Sequence, residues 1–500
     1  MKDKNNIVKK LEALEQIKLK GNPSVIAELI SSLKNNNLKV RNKTFNVINY
    51  FYTKISSGNT LYLCLKYCQI EKQDLDFYKK NFSPAENLVL FSVATYNHNG
   101  YVREKAIEEL GLLQHTELAI EPLFHRLSDW VDVNRQKALN IIRSLKYKGY
   151  INYFVNNIQI ISNLKNVQRI NLFDIYNELI NFIVEENRNE VLVNFSIYSD
   201  KNRILLAKNI ISSSQINLND LQIFVNDKNF LVRSLVLERF DLLTEVEINR
   251  LLADKSSKIR LETLYSLEKT KDISDICFKL LADSSSSIRS FSRFILKDND
   301  LDFKKLYYKN LINKIDLEGS LYGLKETEGK KYFNDVIPFL DSKKLRIKKA
   351  AFNFLQEFEP KTAYKFAVRN MNSEFVGIRK VSMEYLWNYP NDEVLEKTRT
   401  LFQLKDIQIK KTMLKFFSKI GKYKGLSEIL IGSVDENKEI RDVSFAYLKE
   451  WISKSNKYFI APSQDEIELI KKSLEKVRTK FKEKKYFDMR LLEEIEFHIK

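Results

Sequence analysis

Glycine and proline are the first scarcities: 12 and 7 in 500 residues, where average usage gives roughly 35 and 25. Rossmann-like, phosphate-loop and multi-turn β folds all need glycine at positive φ or at close backbone approaches, so the shortage disfavours them. A long chain this poor in both residues is expected to be mostly helix. Cysteine is almost missing too. Cys64, Cys68 and Cys277 cannot build a disulfide framework and suit a reducing compartment. The four histidines, His98, His115, His125 and His498, form no HExxH and no clustered spacing that zinc requires. No window approaches 18 uncharged apolar residues, so no membrane span is expected. The opening MKDKNNIVKKLEALEQ has no apolar signal core, and the expected location is the cytoplasm.

What remains is an ordinary soluble balance, with 44% apolar and 30% charged residues. The net charge is +18 and the pI about 9.3. Such a surplus permits an anionic partner. The chain is also rich in Lys, Asn and Ile, so compositional drift explains part of the surplus.

A repeat is the dominant feature. Its unit is an Asp or Asn, a few polar residues, an aliphatic–basic pair, a small residue three further on and an apolar residue four beyond that. It reads DKNFLVRSLVLERF from Asp227, DKSSKIRLETLYSL from Asp254, DSSSSIRSFSRFIL from Asp283 and DENKEIRDVSFAYL from Asp435. The basic anchors are Arg41, Arg103, Arg135, Arg233, Arg260, Arg289, Lys348, Arg379, Lys410 and Arg441. Their separations fit thirteen intervals of about 31 residues, and the gaps call for degenerate copies near 72, 168, 200 and 318. The Asp or Asn suits a helix N-cap. The aliphatic before the anchor, the small residue at plus three and the apolar residue at plus seven share one helical face. A second apolar stretch, such as ISDICFKLL or LSEILIGSV, lies upstream of each anchor. Two helices per 31 residues predict an all-α, right-handed α-solenoid of stacked helical pairs. The expected organisation is a helical cap over 1–32, the repeats over 33–455 (degenerate at about 145–225 and 300–335), and basic capping helices over 456–500.

The pattern resembles the HEAT-repeat, armadillo-like family from about Asn35 to Leu448. That resemblance implies an aspartate–arginine ladder between stacked repeats. It assigns structural roles to Asp227, Arg233, Asp254, Arg260, Asp283, Arg289, Asp435 and Arg441. Three departures stand out: Asn134 replaces an aliphatic, the Lys410 copy lacks an acid at the expected distance, and 145–225 matches poorly.

Signals for chemistry are thin. Cys64 and Cys68 share a helical face without further ligands nearby and read as core residues. GLKETEGKK, from Gly323 to Lys331, has five residues between its glycines and Lys331 where a magnesium-binding hydroxyl belongs, so it reads as a repeat loop. HEAT-like DNA glycosylases need aromatic and acidic residues converging on a groove, whereas Trp130, Trp387 and Trp451 sit in unrelated repeats. Trp130 is expected to pack at the turn before a helix. No catalytic residue, metal site or cofactor is expected.

Equal repeat positions stack into ridges. Lys348, Lys349, Arg379, Lys380, Lys410, Lys411 and Lys415 should form a basic strip on the second-helix side and are the candidate partner-binding residues. At the C-terminus, Ser463 to Glu466 reads as a capping box. Ile467, Ile470, Leu474, Val477 and Phe481 make one apolar face behind it, opposite a lysine-rich face that includes Lys482, Lys484 and Lys485. The expected function is a non-catalytic scaffold or adaptor binding a protein partner along the concave surface. Nucleic-acid binding through the lysine columns, or a glycosylase-type repair activity, are the alternatives.

Overall fold

The computed structural model describes the backbone of residues 2–55, 58–455, 457–483 and 489–499. Every regular element among them is helical. The fold is an all-α solenoid of stacked helical pairs, divided into two compact units, Met1–Lys269 and Thr270–Lys500.

In the first unit, Lys2–Lys20 lies against Leu38–Tyr52. Two helical pairs follow, Pro84–Ala94 with Gly100–Gly111 and Ile120–Arg126 with Asp132–Ser144, and their second helices pack on one another. Later second helices, Asp200–Ile211, Phe230–Leu235 and Ser257–Glu268, stack in the same order. In the second unit the second helices start at residues 345, 376, 407 and 438, so the 31-residue period is kept through three consecutive steps. Each touches the next.

The burial columns explain why these segments stack. At plus three stand Thr44, Ala106, Ala138, Thr263, Ser292, Ala351, Ser382 and Ser444, all fully buried. Small side chains there let the neighbouring helix approach. At plus seven, Ile48, Leu110, Ile142, Leu267, Leu296, Leu355, Leu386, Phe417 and Leu448 are buried as well. At the tightest approach a Cβ on Gly319 would lie 1.7 Å from the Ala282 carbonyl oxygen.

The Asp or Asn that opens the repeat is not the helix N-cap. Its Oδ1 instead accepts the N–H two residues on, as in Asn97 from Asn99 (2.8 Å), Asp129 from Val131 (2.9 Å), Asp254 from Ser256 (2.7 Å) and Asp435 from Asn437 (2.8 Å). The cap is that later residue; Asn37, Asn99 and Asn229 accept from first-turn N–H groups. The Asx turn reverses the chain between paired helices and leaves the carboxylate beside the stacking interface. Asp406 holds the same cap position before Lys410, accepting from Ile409 N–H at 2.8 Å.

Two degenerate stretches behave differently. Over 145–225 several helices are short, with Ile151–Asn156, Ile158–Asn163 and Arg188–Val193 each six residues long. The repeat resumes at Arg203, close to the expected copy near 200. In the stretch resembling a phosphate loop, Gly323 lies in the helix Leu317–Glu326, where a Cβ would sit 2.3 Å from the Tyr307 ring. Its role is helix packing. At the C-terminus, Ser463 N–H donates to Glu466 and Glu466 N–H to Ser463, at 2.8 and 3.2 Å. The helix Gln464–Glu483 buries Ile470, Leu474 and Val477 and packs on Leu426–Gly432, with Ser427 and Ser473 hydroxyls 2.8 Å apart. The side chains of Phe481, Lys482, Lys484 and Lys485 lie outside the described residues.

Candidate functional site

The repeat's most conspicuous polar column is its anchor, and each anchor arginine first bonds its own turn. Nη1 donates to the carbonyl six residues back in Arg103 (3.0 Å), Arg135 (2.9 Å), Arg233 (2.8 Å), Arg260 (2.6 Å), Arg289 (2.7 Å), Arg379 (2.7 Å) and Arg441 (2.8 Å). This leaves Nε and Nη2 facing the next repeat. There Arg103 Nε and Nη2 meet Asp129, both at 2.7 Å, and Arg233 meets Asp254 at 2.6 and 2.9 Å. Arg203 Nε meets Asp227 at 2.8 Å. Lys410 Nζ meets Asp435 at 2.5 Å. Arg289 turns to Glu326 instead, with Nε at 3.1 Å from it. The aspartate is therefore shared between an Asx turn in its own repeat and a bidentate pair with the arginine of the repeat before it.

The electrostatics follow. Burial pushes the Asp129 carboxyl up. The hydrogen bonds from Arg103 and Val131 N–H, with the charges of Arg126 and Arg103, outweigh that and hold it below the usual carboxylate range. Asp254 is lowered in the same way: the bond from Arg233, the Ser256 N–H and the charges of Arg233 and Arg260 exceed its burial. Asn134, in the aliphatic column, is fully buried and donates from Nδ2 to the Gly100 carbonyl at 3.3 Å.

The acid column is interrupted over 342–404, between Asp283 and Asp435. Six residues before Lys348, Arg379 and Lys410 stand Ser342, Ser373 and Leu404. Lys348 and Arg379 consequently meet no carboxylate among the described residues. Arg379 is only 5% exposed, and its Nε is buried without an acceptor. Lys349 lies over the next second helix, where a Cβ on Gly377 would come within 2.7 Å of Nζ.

The structure thus splits the seven strip residues. Lys410 and Lys411 pair with Asp435 and Glu439. Lys415 lies over the Trp387 ring at 5.4 Å, and Lys380 makes only a 3.9 Å contact with Glu384. Lys348, Lys349 and Arg379 are left without carboxylate partners among the described residues. Sequence reasoning missed Lys343, Lys344 and Arg346, which make no ion pair with any of the described residues. Their signal was plain: KKLRIKK places five cations in seven residues. Lys344 and Arg346 also line a cleft of about 730 Å³ with Lys279, Asp283, Asp316 and Glu318.

Other polar residues are taken up by packing. Trp130, expected to pack at its turn, is 80% exposed and instead lies under the Arg169 guanidinium, 4.3 Å away. Burial raises the Cys68 thiol to about 12, and Cys277 is buried too. His125 is lowered to about 4 by burial and by Arg126. Its Nε2 has no acceptor or donor within the buried cluster it shares with Tyr96 and Arg126. Among the described residues, no three His, Cys, Asp or Glu side chains gather as metal ligands. No helix among them is long and apolar enough to cross a membrane.

No protein family's profile matches the chain. No curated protein sequence matches it. Among solved structures, an engineered protein aligns over 91% of this chain and 98% of its own, with 11% identity and a TM-score of 0.19. A C-terminal fragment of the cohesin loader SCC2 of Chaetomium thermophilum aligns over 89% of this chain, with 13% identity and a TM-score of 0.30. This chain spans 42% of that fragment. A homology model of the full-length AP-3 complex, in an intermediate open conformation, aligns over 94% of this chain and 95% of its own, with 14% identity and a TM-score of 0.23.

Proposed function

We propose that the protein is a non-catalytic scaffold of HEAT-repeat type that binds a protein partner along the face formed by its second helices. The observation that carries this reading is the row of equivalent side chains on successive second helices. Such rows present extended, multivalent surfaces on which no single residue dominates. In most repeats the charged row is consumed by stacking, and over 342–404 it is not. The helices over 1–32 and 456–500 serve as caps, burying apolar faces that a solenoid end would expose. A cytoplasmic location suits the free thiols Cys64, Cys68 and Cys277. The test is co-purification of the full chain from a native extract at physiological ionic strength, followed by cross-linking. Cross-links concentrated on second-helix lysines such as Lys349 and Lys380 support the reading; recovery of the chain without a protein partner refutes it.

Nucleic-acid binding is the second reading, favoured by the run from Lys343 to Lys349. It requires gel shifts whose affinity falls steeply with salt, by a log–log slope near one per phosphate contacted.

A further inference from the structure

We propose that the break in the ladder over 342–404 is a docking site for an extended acidic segment of a protein partner. The partner's carboxylates would take the place of the missing ladder acids against Arg379, Lys348 and Lys349. This rests on the scaffold reading and names the chemistry of the partner.

Arg379 marks the break most clearly. In the rungs of Arg103, Arg203 and Arg233 the guanidinium Nε reaches the acid: Asp129 at 2.7 Å, Asp227 at 2.8 Å and Asp254 at 2.6 Å. Arg379 keeps the same backbone bond to Ser373 at 2.7 Å, but its Nε is buried with no acceptor. A guanidinium stays ionised in any protein environment, so a buried one without a counter-charge is an incomplete interaction. The side chain at the acid's position is Leu404, which is 43% exposed rather than buried in the core. Lys348 and Lys349 lie one repeat earlier, and the glycine at 377 leaves room for the Lys349 ammonium.

The surroundings favour a peptide over a phosphate backbone. Phe375, Val376 and Leu404 are exposed apolar side chains alongside the cations. Glu374, exposed, and Glu384, beside Lys380, interrupt the positive strip and would repel a continuous run of phosphates. The stacking geometry adds a spacing rule. Neighbouring helices pack about 8–10 Å apart, and a polyproline-type chain advances about 9 Å in three residues on one face. Acids at every third position therefore meet successive repeats.

The experiment measures fluorescence anisotropy of the full-length protein with a labelled peptide carrying Glu at every third position, with Leu and Pro between. The matching Gln peptide and a single-stranded oligodeoxynucleotide of equal charge serve as comparisons. The Glu peptide is expected to bind, and the Gln peptide to bind about tenfold more weakly or not at all. Leu404→Asp supplies the missing acid from within, so peptide affinity should fall about tenfold while the melting temperature rises. Lys349→Ala should weaken binding with an unchanged melting temperature, which keeps the test valid should Leu404→Asp fold poorly. Equal binding by wild type, Leu404→Asp and Lys349→Ala overturns the proposal while leaving the scaffold reading intact, since that reading fails only on the absence of a co-purifying protein. Tighter binding of the oligonucleotide, weakened by the same substitutions, overturns the peptide assignment.

Discussion

Asp129→Ala removes the centre of the most heavily bonded rung. The Asp129 side chain is about 1% exposed, Arg103 8% and Arg126 11%. Three guanidinium bonds converge on it, two from Arg103 at 2.7 Å and one from Arg126 at 2.9 Å, together with the Val131 N–H at 2.9 Å. The substitution leaves two buried guanidiniums without a counter-charge and dissolves the Asx turn that starts Asp132–Ser144. Breaking a buried pair by removing one partner costs about 3–5 kcal/mol. An exposed residue such as Lys472, which pairs with Glu468 one helical turn away, should cost less than about 0.5 kcal/mol when replaced by Ala. Because stability in a solenoid is carried by neighbouring repeats, the loss should appear first as local opening. The assay is native-state hydrogen exchange over 97–144 alongside urea unfolding. Protection there should fall by the full amount, with smaller changes in the second unit. The cycle Arg103→Ala, Asp129→Ala and the double variant should show a coupling of at least about 1 kcal/mol. Coupling indistinguishable from zero, or a loss for Asp129→Ala no larger than for Lys472→Ala, refutes a structural ladder.

Four further outcomes follow from the geometry. Gly319→Ala places a methyl 1.7 Å from the Ala282 carbonyl oxygen, and overpacking of this kind costs about 1–3 kcal/mol, read as a lower melting temperature of the second unit. His125 is held neutral, with its pKa lowered to about 4 by burial and Arg126; the unfolded chain binds its proton first as pH falls from about 6.5. Stability is therefore full above that pH and declines by roughly 3 kcal/mol down to about pH 4, and His125→Gln should flatten this slope in urea titrations. Asp129 and Asp254 are also lowered, so their contribution is present above about pH 4 and lost below it as each is protonated. Cys68 and Cys277, both buried, should resist alkylation in native protein and label only in denaturant, as mass spectrometry would show.

Much of the architecture was legible because a stacking helix needs the same three buried positions in every copy. Val102, Ala106 and Leu110 repeat as Ile288, Ser292 and Leu296 for that reason, and all are buried. The N-cap assignment was off by two residues. Both an Asx turn and a cap select Asp or Asn, and only the backbone bond from Val131 to Asp129 separates them. Arg203 was hidden because its turn bonds the carbonyl of Tyr198, five residues back, and no acid stands six residues before it. The pairing of Lys410 and Lys411 was also invisible, since Asp435 and Glu439 lie a full repeat away. Trp130 misled because a large aromatic at a turn usually packs, whereas here it stands outside and stacks with Arg169.

On this reading one column of cations stacks the repeats while its continuation over 342–404 is left for a partner. Melting temperature and acidic-peptide affinity of Arg233→Ala and Lys349→Ala, measured on the same preparations, test it most directly. Arg233→Ala is expected to melt several degrees lower and bind the peptide as wild type does, whereas Lys349→Ala should melt as wild type does and bind more weakly. A melting loss of equal size in both variants, with peptide affinity unchanged in both, would contradict it.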